Sequence, residues 1–203
     1  GKVNPSGKLA TTFPMNYLDN PSSHNFPYDY SNTATASRNA YGRTPAPRKN
    51  VDYTLYEEGI YVGYRYFTTA GVEVSYPFGY GLSYTTFEVG KGKISKKSMK
   101  TDGSVKITVP VENTGDREGT ETIQVYVKAL DYAEAPIKSL KGFQKINLKA
   151  GEKGKVEIVL DGESFQYYDP SIDELSTRTG RYQILYGTSS LEKDLKSIDF
   201  VVK

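Results

Sequence analysis

The chain has 203 residues, 37% of them hydrophobic and 25% charged, and its 26 basic and 24 acidic side chains leave a formal charge of +2. No stretch approaches the ~18 apolar residues of a membrane helix, and both signs of charge are spread along the chain, so neither a membrane span nor a nucleic-acid partner is expected. With no cysteine and one histidine, disulfides, thiolate nucleophiles and thiolate or multi-histidine metal sites are excluded, and no metal or cofactor is expected.

The opening Gly1-Lys2-Val3-Asn4 is not a signal peptide and carries no initiating Met, so the chain reads as processed or truncated. Up to about residue 50 the sequence is rich in Asn, Ser, Thr and Pro, with one short apolar run at 9–13 and no sustained helical period. That is one strand followed by a loop of roughly forty residues, well beyond the ~12 to 15 that compact domains tolerate. Such a loop either lies over a surface from outside this chain or is partly disordered.

Tyrosine marks a change of character: of 18 residues, twelve lie between Tyr17 and Tyr84. The segments Tyr56-Glu57-Glu58-Gly59-Ile60-Tyr61-Val62-Gly63-Tyr64-Arg65-Tyr66-Phe67 and Tyr76-Pro77-Phe78-Gly79-Tyr80-Gly81-Leu82-Ser83-Tyr84 are the densest. Aromatic rings at that density stack on sugars or pin a connection to a neighbouring domain, and the second reading is preferred because Gly79 and Gly81 suit a tight, packed corner.

Beyond Thr85 short alternating runs are separated by turn residues, the pattern of an antiparallel all-β domain. Val105, Ile107, Val109 and Val111 alternate with polar partners, as do Ile123, Val125 and Val127, and each run is expected to bury one face. Further runs at 143–148, 156–160, 182–186 and 195–202, with a first strand at 87–94, bring the count to the roughly seven of a fibronectin type III-like or immunoglobulin-like sandwich. Pro110 predicts an edge strand or bulge, since proline donates nothing to a ladder.

Candidate chemistry is sparse. Glycoside cleavage needs two carboxylates facing one bond, but Glu57 and Glu58 are adjacent and point to opposite sides of an extended chain. Asp116, Glu118 and Glu121 cluster at a turn and are expected to face water. His24 has no nucleophile motif beside it. Lys91, Lys93, Lys96, Lys97 and Lys100 read as a solvated strand edge that discourages pairing with another sheet. No catalytic residue is assigned, and no carboxylate pair suits a complete hydrolase.

The ordered set Asn4-Pro5-Ser6-Gly7-Lys8-Leu9, Glu58-Gly59-Ile60-Tyr61-Val62-Gly63-Tyr64-Arg65-Tyr66-Phe67, Tyr76 to Phe87, Val111-Glu112-Asn113-Thr114-Gly115, Leu140-Lys141-Gly142-Phe143 and Leu148-Lys149-Ala150-Gly151-Glu152 resembles the C-terminal part of glycoside hydrolase family 3, the β-glucosidases and β-xylosidases. The resemblance implies three stretches: 1–55, the terminal strand and long loop of an α/β sandwich domain; 56–85, an aromatic interdomain connection; and 86–203, a fibronectin type III-like β-sandwich. It implies retaining hydrolysis by an Asp nucleophile and a Glu acid/base that lie in upstream domains, outside these 203 positions. The chain alone is then inactive. Its partners are the upstream catalytic domains and, through them, an oligo- or polysaccharide, in a periplasmic or secreted protein. Arg38, Tyr41, Arg43, Arg48 and His24, in the long loop, are the residues to screen for sugar contacts. The competing reading is a stand-alone fibronectin type III-like carbohydrate-binding or interaction module. Limited proteolysis is expected to cut first between Asn16 and Val51, as read by mass spectrometry of the early fragments; an uncut chain would show that the loop is held by contacts.

Overall fold

Backbone pairing begins with strands β1 (Phe13–Pro14) and β2 (Val74–Tyr76), which are antiparallel and straddle a short helix α1 (Tyr64–Ala70). The computed structural model describes residues 2–25, 58–133 and 135–203. Helix α1 was not foreseen in the aromatic segment. Gly63 and Gly71, with φ of 58° and 66°, bound it, and the left-handed Gly71 closes it as a C-cap.

The sandwich follows in β3 (Phe87–Val89), β4 (Lys93–Ile94), β5 (Ser98–Met99), β6 (Ser104–Asn113), β7 (Gly119–Ala129), β8 (Ser139–Leu148), β9 (Lys153–Asp161), β10 (Gln166–Asp169), β11 (Glu174–Thr177), β12 (Gly180–Gly187) and β13 (Leu195–Val202). One sheet has the order β5-β13-β12-β7-β8; in the other, β6 is flanked by β9 on one side and by β3 and β4 in tandem on the other. The hairpin β10–β11 lies between β9 and β12 and was not expected. The core is what the alternation predicted: Val105, Ile107, Val109 and Val111 of β6 and Val156, Ile158 and Leu160 of β9 face Ile123, Val125 and Val127 of β7, and all are buried. Phe165, Tyr182 and Phe200 close one end, with ring centroids 5.1 Å and 5.4 Å from Phe165. Tyr182 Oη donates to the Arg178 carbonyl at 2.7 Å, the tyrosine corner of sandwiches of this kind.

Two expectations are corrected. Pro110 is not on an edge strand, because β6 is interior to its sheet. Its carbonyl accepts from Gly90 N at 2.9 Å, so the side on which it lacks an N–H faces the interruption between β3 and β4. That interruption is built by neighbours: Gly92 N donates to the buried Tyr186 Oη at 2.7 Å, and a Cβ at Gly92 would lie 2.9 Å from the Tyr186 ring. The proline and the broken edge fit one another.

Nor does β7 bury a single face. Thr122, Gln124 and Tyr126, which alternate with the core residues, are also buried, because the aromatic connection covers them. Tyr64 of α1 packs on Tyr126 with centroids 5.7 Å apart and on Phe78 at 5.0 Å. Gln124 Nε2 donates to the Thr188 carbonyl at 2.8 Å, and its Oε1 accepts from Tyr126 Oη at 2.5 Å. Leu140 N donates to Tyr64 Oη at 2.8 Å, and Ser190 N to the Phe78 carbonyl at 2.9 Å. Gly79, at φ 84°, lies so close that a Cβ would overlap the Gln124 amide at 2.2 Å. The packed corner expected at Gly79 and Gly81 is borne out.

Asn113 explains why the Asn-Thr-Gly turn is more than a turn. Its Oδ1 accepts from Thr85 Oγ1 (2.7 Å) and Gly115 N (3.1 Å), and its Nδ2 donates to the carbonyls of Arg117 (2.8 Å) and Leu148 (3.0 Å). Its backbone pairs with Glu152 and Gly151, so one side chain joins three separate turns. Asn113→Ala is expected to lower stability by about 3 kcal/mol in urea unfolding, since several buried partners lose their bonds at about 1–3 kcal/mol each and relax only in part.

Candidate functional site

The N-terminal segment is fastened to the sandwich by polar contacts. Leu9 N donates to the Tyr80 carbonyl and Gly79 N to the Leu9 carbonyl, each at 2.8 Å. Asn4 Nδ2 donates to Ser83 Oγ at 3.0 Å, and its Oδ1 accepts from Tyr84 N at 2.9 Å. Lys8 Nζ lies 2.6 Å from Glu121 of β7, both side chains largely covered. Glu121 therefore does not face water as expected: the segment that begins the chain lies over it. Asp116, 81% exposed and 3.1 Å from Arg117, and Glu118, which accepts from Asn147 Nδ2 at 2.5 Å, do stay at the surface.

What this arrangement leaves open is an apolar face. Leu9, Phe13, Tyr76, Tyr80 and Leu82 border a groove of about 580 Å³. Phe13, Tyr76 and Leu82 are 46%, 47% and 70% exposed, although Phe13 and Tyr76 meet edge to face at 6.2 Å and Tyr76 and Tyr80 pack tilted at 5.0 Å. Met15, Tyr17 and Leu18 are exposed too. Monomeric surfaces rarely present such contiguous apolar patches without a partner to cover them.

Elsewhere a cleft of about 640 Å³ opens between α1, the start of β8 and the β10–β11 hairpin. Its walls include Tyr132, Tyr167, Tyr168 and Leu175, and its charges are Arg65, Lys141, Arg178 and Asp169. Lys141 is aimed by a bulge. Val125 pairs with Gly142 but Tyr126 with Leu140, so Lys141 is the extra residue, and such bulges re-aim side chains. Gly142 cannot carry a Cβ, which would lie 2.7 Å from Ile158. Burial holds Lys141 below the usual lysine range, and the Arg65 charge adds to the effect against an opposing pull from Asp161. Arg178 lies 3.6 Å from Asp169 and 5.0 Å above the Tyr132 ring. Burial pushes Tyr167 up to about 12.

None of the cleft residues was picked out from the sequence as a site residue. They come from four separate segments, and the one local signal was a glycine inside a strand, Gly142, which marks a bulge. Of the residues singled out, Glu58 has a buried carboxylate oxygen without a hydrogen bond among the described residues. His24 belongs to the short 3-10 helix Pro21–Asn25, but its side chain, like Arg38, Tyr41, Arg43, Arg48 and Glu57, lies outside the described residues. The five lysines 91, 93, 96, 97 and 100 are all exposed along the edge at β4, as expected. Among the described residues no group of three metal-ligating side chains occurs.

Residues 121–190 match the fibronectin type III-like domain family. Over 97% of its length the chain is 39% identical to thermostable beta-glucosidase B of Acetivibrio thermocellus, covering 23% of that protein. It is 40% identical over 98% of its length to a xylan 1,4-beta-xylosidase of Xylanibacter ruminicola, covering 19%. The crystal structure of a Bifidobacterium adolescentis GH3 beta-glucosidase superposes on all of the chain with a TM-score of 0.81 and 36% identity, over 26% of that structure. Over nearly its whole length the chain is thus similar to the C-terminal part of these glycosidases, and its sandwich contains the fibronectin type III-like domain. It spans about a fifth to a quarter of the length of these family 3 relatives.

One buried charge in this sandwich has a measurable cost. Lys138 is fully buried; its Nζ makes no hydrogen bond among the described residues and lies 3.6 Å from the exposed Glu192 carboxylate. Burial lowers its pKa despite the pull of Glu192. The unfolded chain then binds more protons between the folded and the ordinary lysine values, so stability rises with pH across that alkaline window. Lys138→Met is expected to stabilise the chain at neutral pH by about 1 kcal/mol and to flatten the alkaline rise, leaving the share due to Lys141, as measured by urea unfolding from pH 7 to 10.5.

Proposed function

We propose that the chain is the non-catalytic C-terminal portion of a family 3 β-glycosidase, a β-glucosidase or β-xylosidase that removes terminal non-reducing β-linked sugars with retention. On this reading the stretch 1–55 completes an α/β domain, 56–85 is the connection and 86–203 is the sandwich. The observation that carries it is the match of nearly the whole chain to proteins four to five times longer. The apolar face around Phe13, Tyr76 and Leu82 supports it, because upstream domains of the same protein are the partner such a patch needs.

The chemistry then belongs to the parent. A carboxylate nucleophile forms a glycosyl-enzyme and a carboxylic acid protonates the leaving oxygen, then activates water. The sandwich contributes position: it grips the end of the preceding domain through Lys8–Glu121, Asn4 and the Leu9–Gly79 backbone pair. The test is the intact product of the gene, captured from its source cells and weighed, then assayed on aryl β-glucosides and β-xylosides. A product several times larger than 22.6 kDa that cleaves them, with the isolated chain inert, is expected. Removing residues 86–203 from it is expected to lower its Tm, and unchanged Tm and activity would overturn the positioning role.

A further inference from the structure

Two cations lining the cleft, Arg65 and Lys141, have no ion-pair partner among the described residues. Their side chains make no hydrogen bond among the described residues either, and Arg65 is near enough to oppose the Lys141 charge. The acids nearby are engaged elsewhere. Asp169 accepts from Ser171 N and Oγ at 3.0 Å and 2.7 Å and pairs with Arg178, while Asp161 caps the turn at Ser164. A fold that spends a bulge on directing a lysine into a half-buried cleft beside an arginine has built a place where a ligand anion replaces lost water.

The walls say what kind of anion. Tyr168, Leu175 and Ile60, all lining the cleft, are 54%, 63% and 50% exposed. The Tyr168 ring, held by its own hydroxyl, which donates to Asp173, offers an aromatic platform for the C–H face of a pyranose. The cleft is of a volume that holds a small organic ligand, far more than an inorganic ion fills. Among the described lining residues three cations stand to one carboxylate, which favours a negatively charged occupant.

We propose that this cleft binds an acidic sugar, a uronate borne on a β-linked oligosaccharide, with its carboxylate held by Arg65 and Lys141 and its ring laid on Tyr168. That the anion is a sugar rests on the glycosidase reading above. The aryl-glycoside assay decides that reading, whereas the following titration decides the cleft alone.

The 203-residue chain is titrated calorimetrically with three probes: a xylo-oligosaccharide bearing glucuronic acid, the same oligosaccharide without it, and inorganic phosphate. The uronate form is expected to bind at least tenfold more tightly than the other two. Arg65→Met and Lys141→Met are each expected to weaken it about tenfold, the loss of one charge-assisted contact, with thermal unfolding at or above that of the parent chain because a desolvated cation is removed. Tyr168→Ala, at an exposed position, is expected to weaken both oligosaccharides alike. Equal binding of the two oligosaccharides, binding of neither, tighter binding of phosphate, or wild-type affinity in both Met variants would overturn the proposal.

Discussion

Strand β7 is buried on both faces, and most of the architecture follows from that constraint. Its inner residues Ile123, Val125 and Val127 build the sandwich core, and its outer residues Thr122, Gln124 and Tyr126 have to be covered by something with matching polarity. An outer face carrying an amide and a phenol buried together costs several kcal/mol unless each polar atom is bonded. The Tyr126–Gln124–Thr188 chain and the Tyr64 ring supply the bonds and the cover. The aromatic connection is thus a third layer of the sandwich rather than a tether, and Gly79 is required because the amide of Gln124 occupies the space of a side chain there.

From that layer the remaining contacts follow in order. Once Phe78 and Gly79 are seated, Leu9 pairs with Gly79 and Tyr80, Lys8 reaches Glu121, and the beginning of the chain is committed to the outer face of β7. The same seating leaves Phe13, Tyr76 and Leu82 turned outward. The exposed apolar face is therefore the far side of a segment whose near side is fully engaged. A partner on this face would be held in fixed register to the sandwich, because segment and sandwich are joined by hydrogen bonds and an ion pair rather than by apolar contact alone.

Much of this was legible in the sequence, and the parts that were not share a cause. Period-two alternation located β6, β7 and β9, where one apolar face per strand is the dominant energy. It misjudged the second face of β7, because Thr, Gln and Tyr look solvated until a covering layer is known. Pro110 was read as an edge signal since the sequence could not show that β3 and β4 break where its missing N–H points. Glu121 was read as a turn residue facing water because its partner, Lys8, is more than a hundred residues away. The ordered motifs at 4–9, 76–87, 113–115 and 148–152 were recognisable as a set, and Asn113 gives the physical reason: three of those motifs meet at its side chain and backbone.

The cleft was illegible for a deeper reason. Arg65, Tyr132, Lys141 and Tyr168 are dispersed in sequence, each unremarkable beside its neighbours, and only the strand order and one bulge bring them to one place. A bulge costs a ladder hydrogen bond and bends the strand. Here it also directs a cation into a cleft walled by tyrosines, beside Arg65. A sandwich selected for stability alone gains little from this, since burial disfavours the Lys141 charge and Arg65 repels it, against a smaller pull from Asp161. A lysine placed against the electrostatic preference of the free chain is what a site for an anion requires, because the energy withheld in the empty cleft becomes available when a carboxylate enters it.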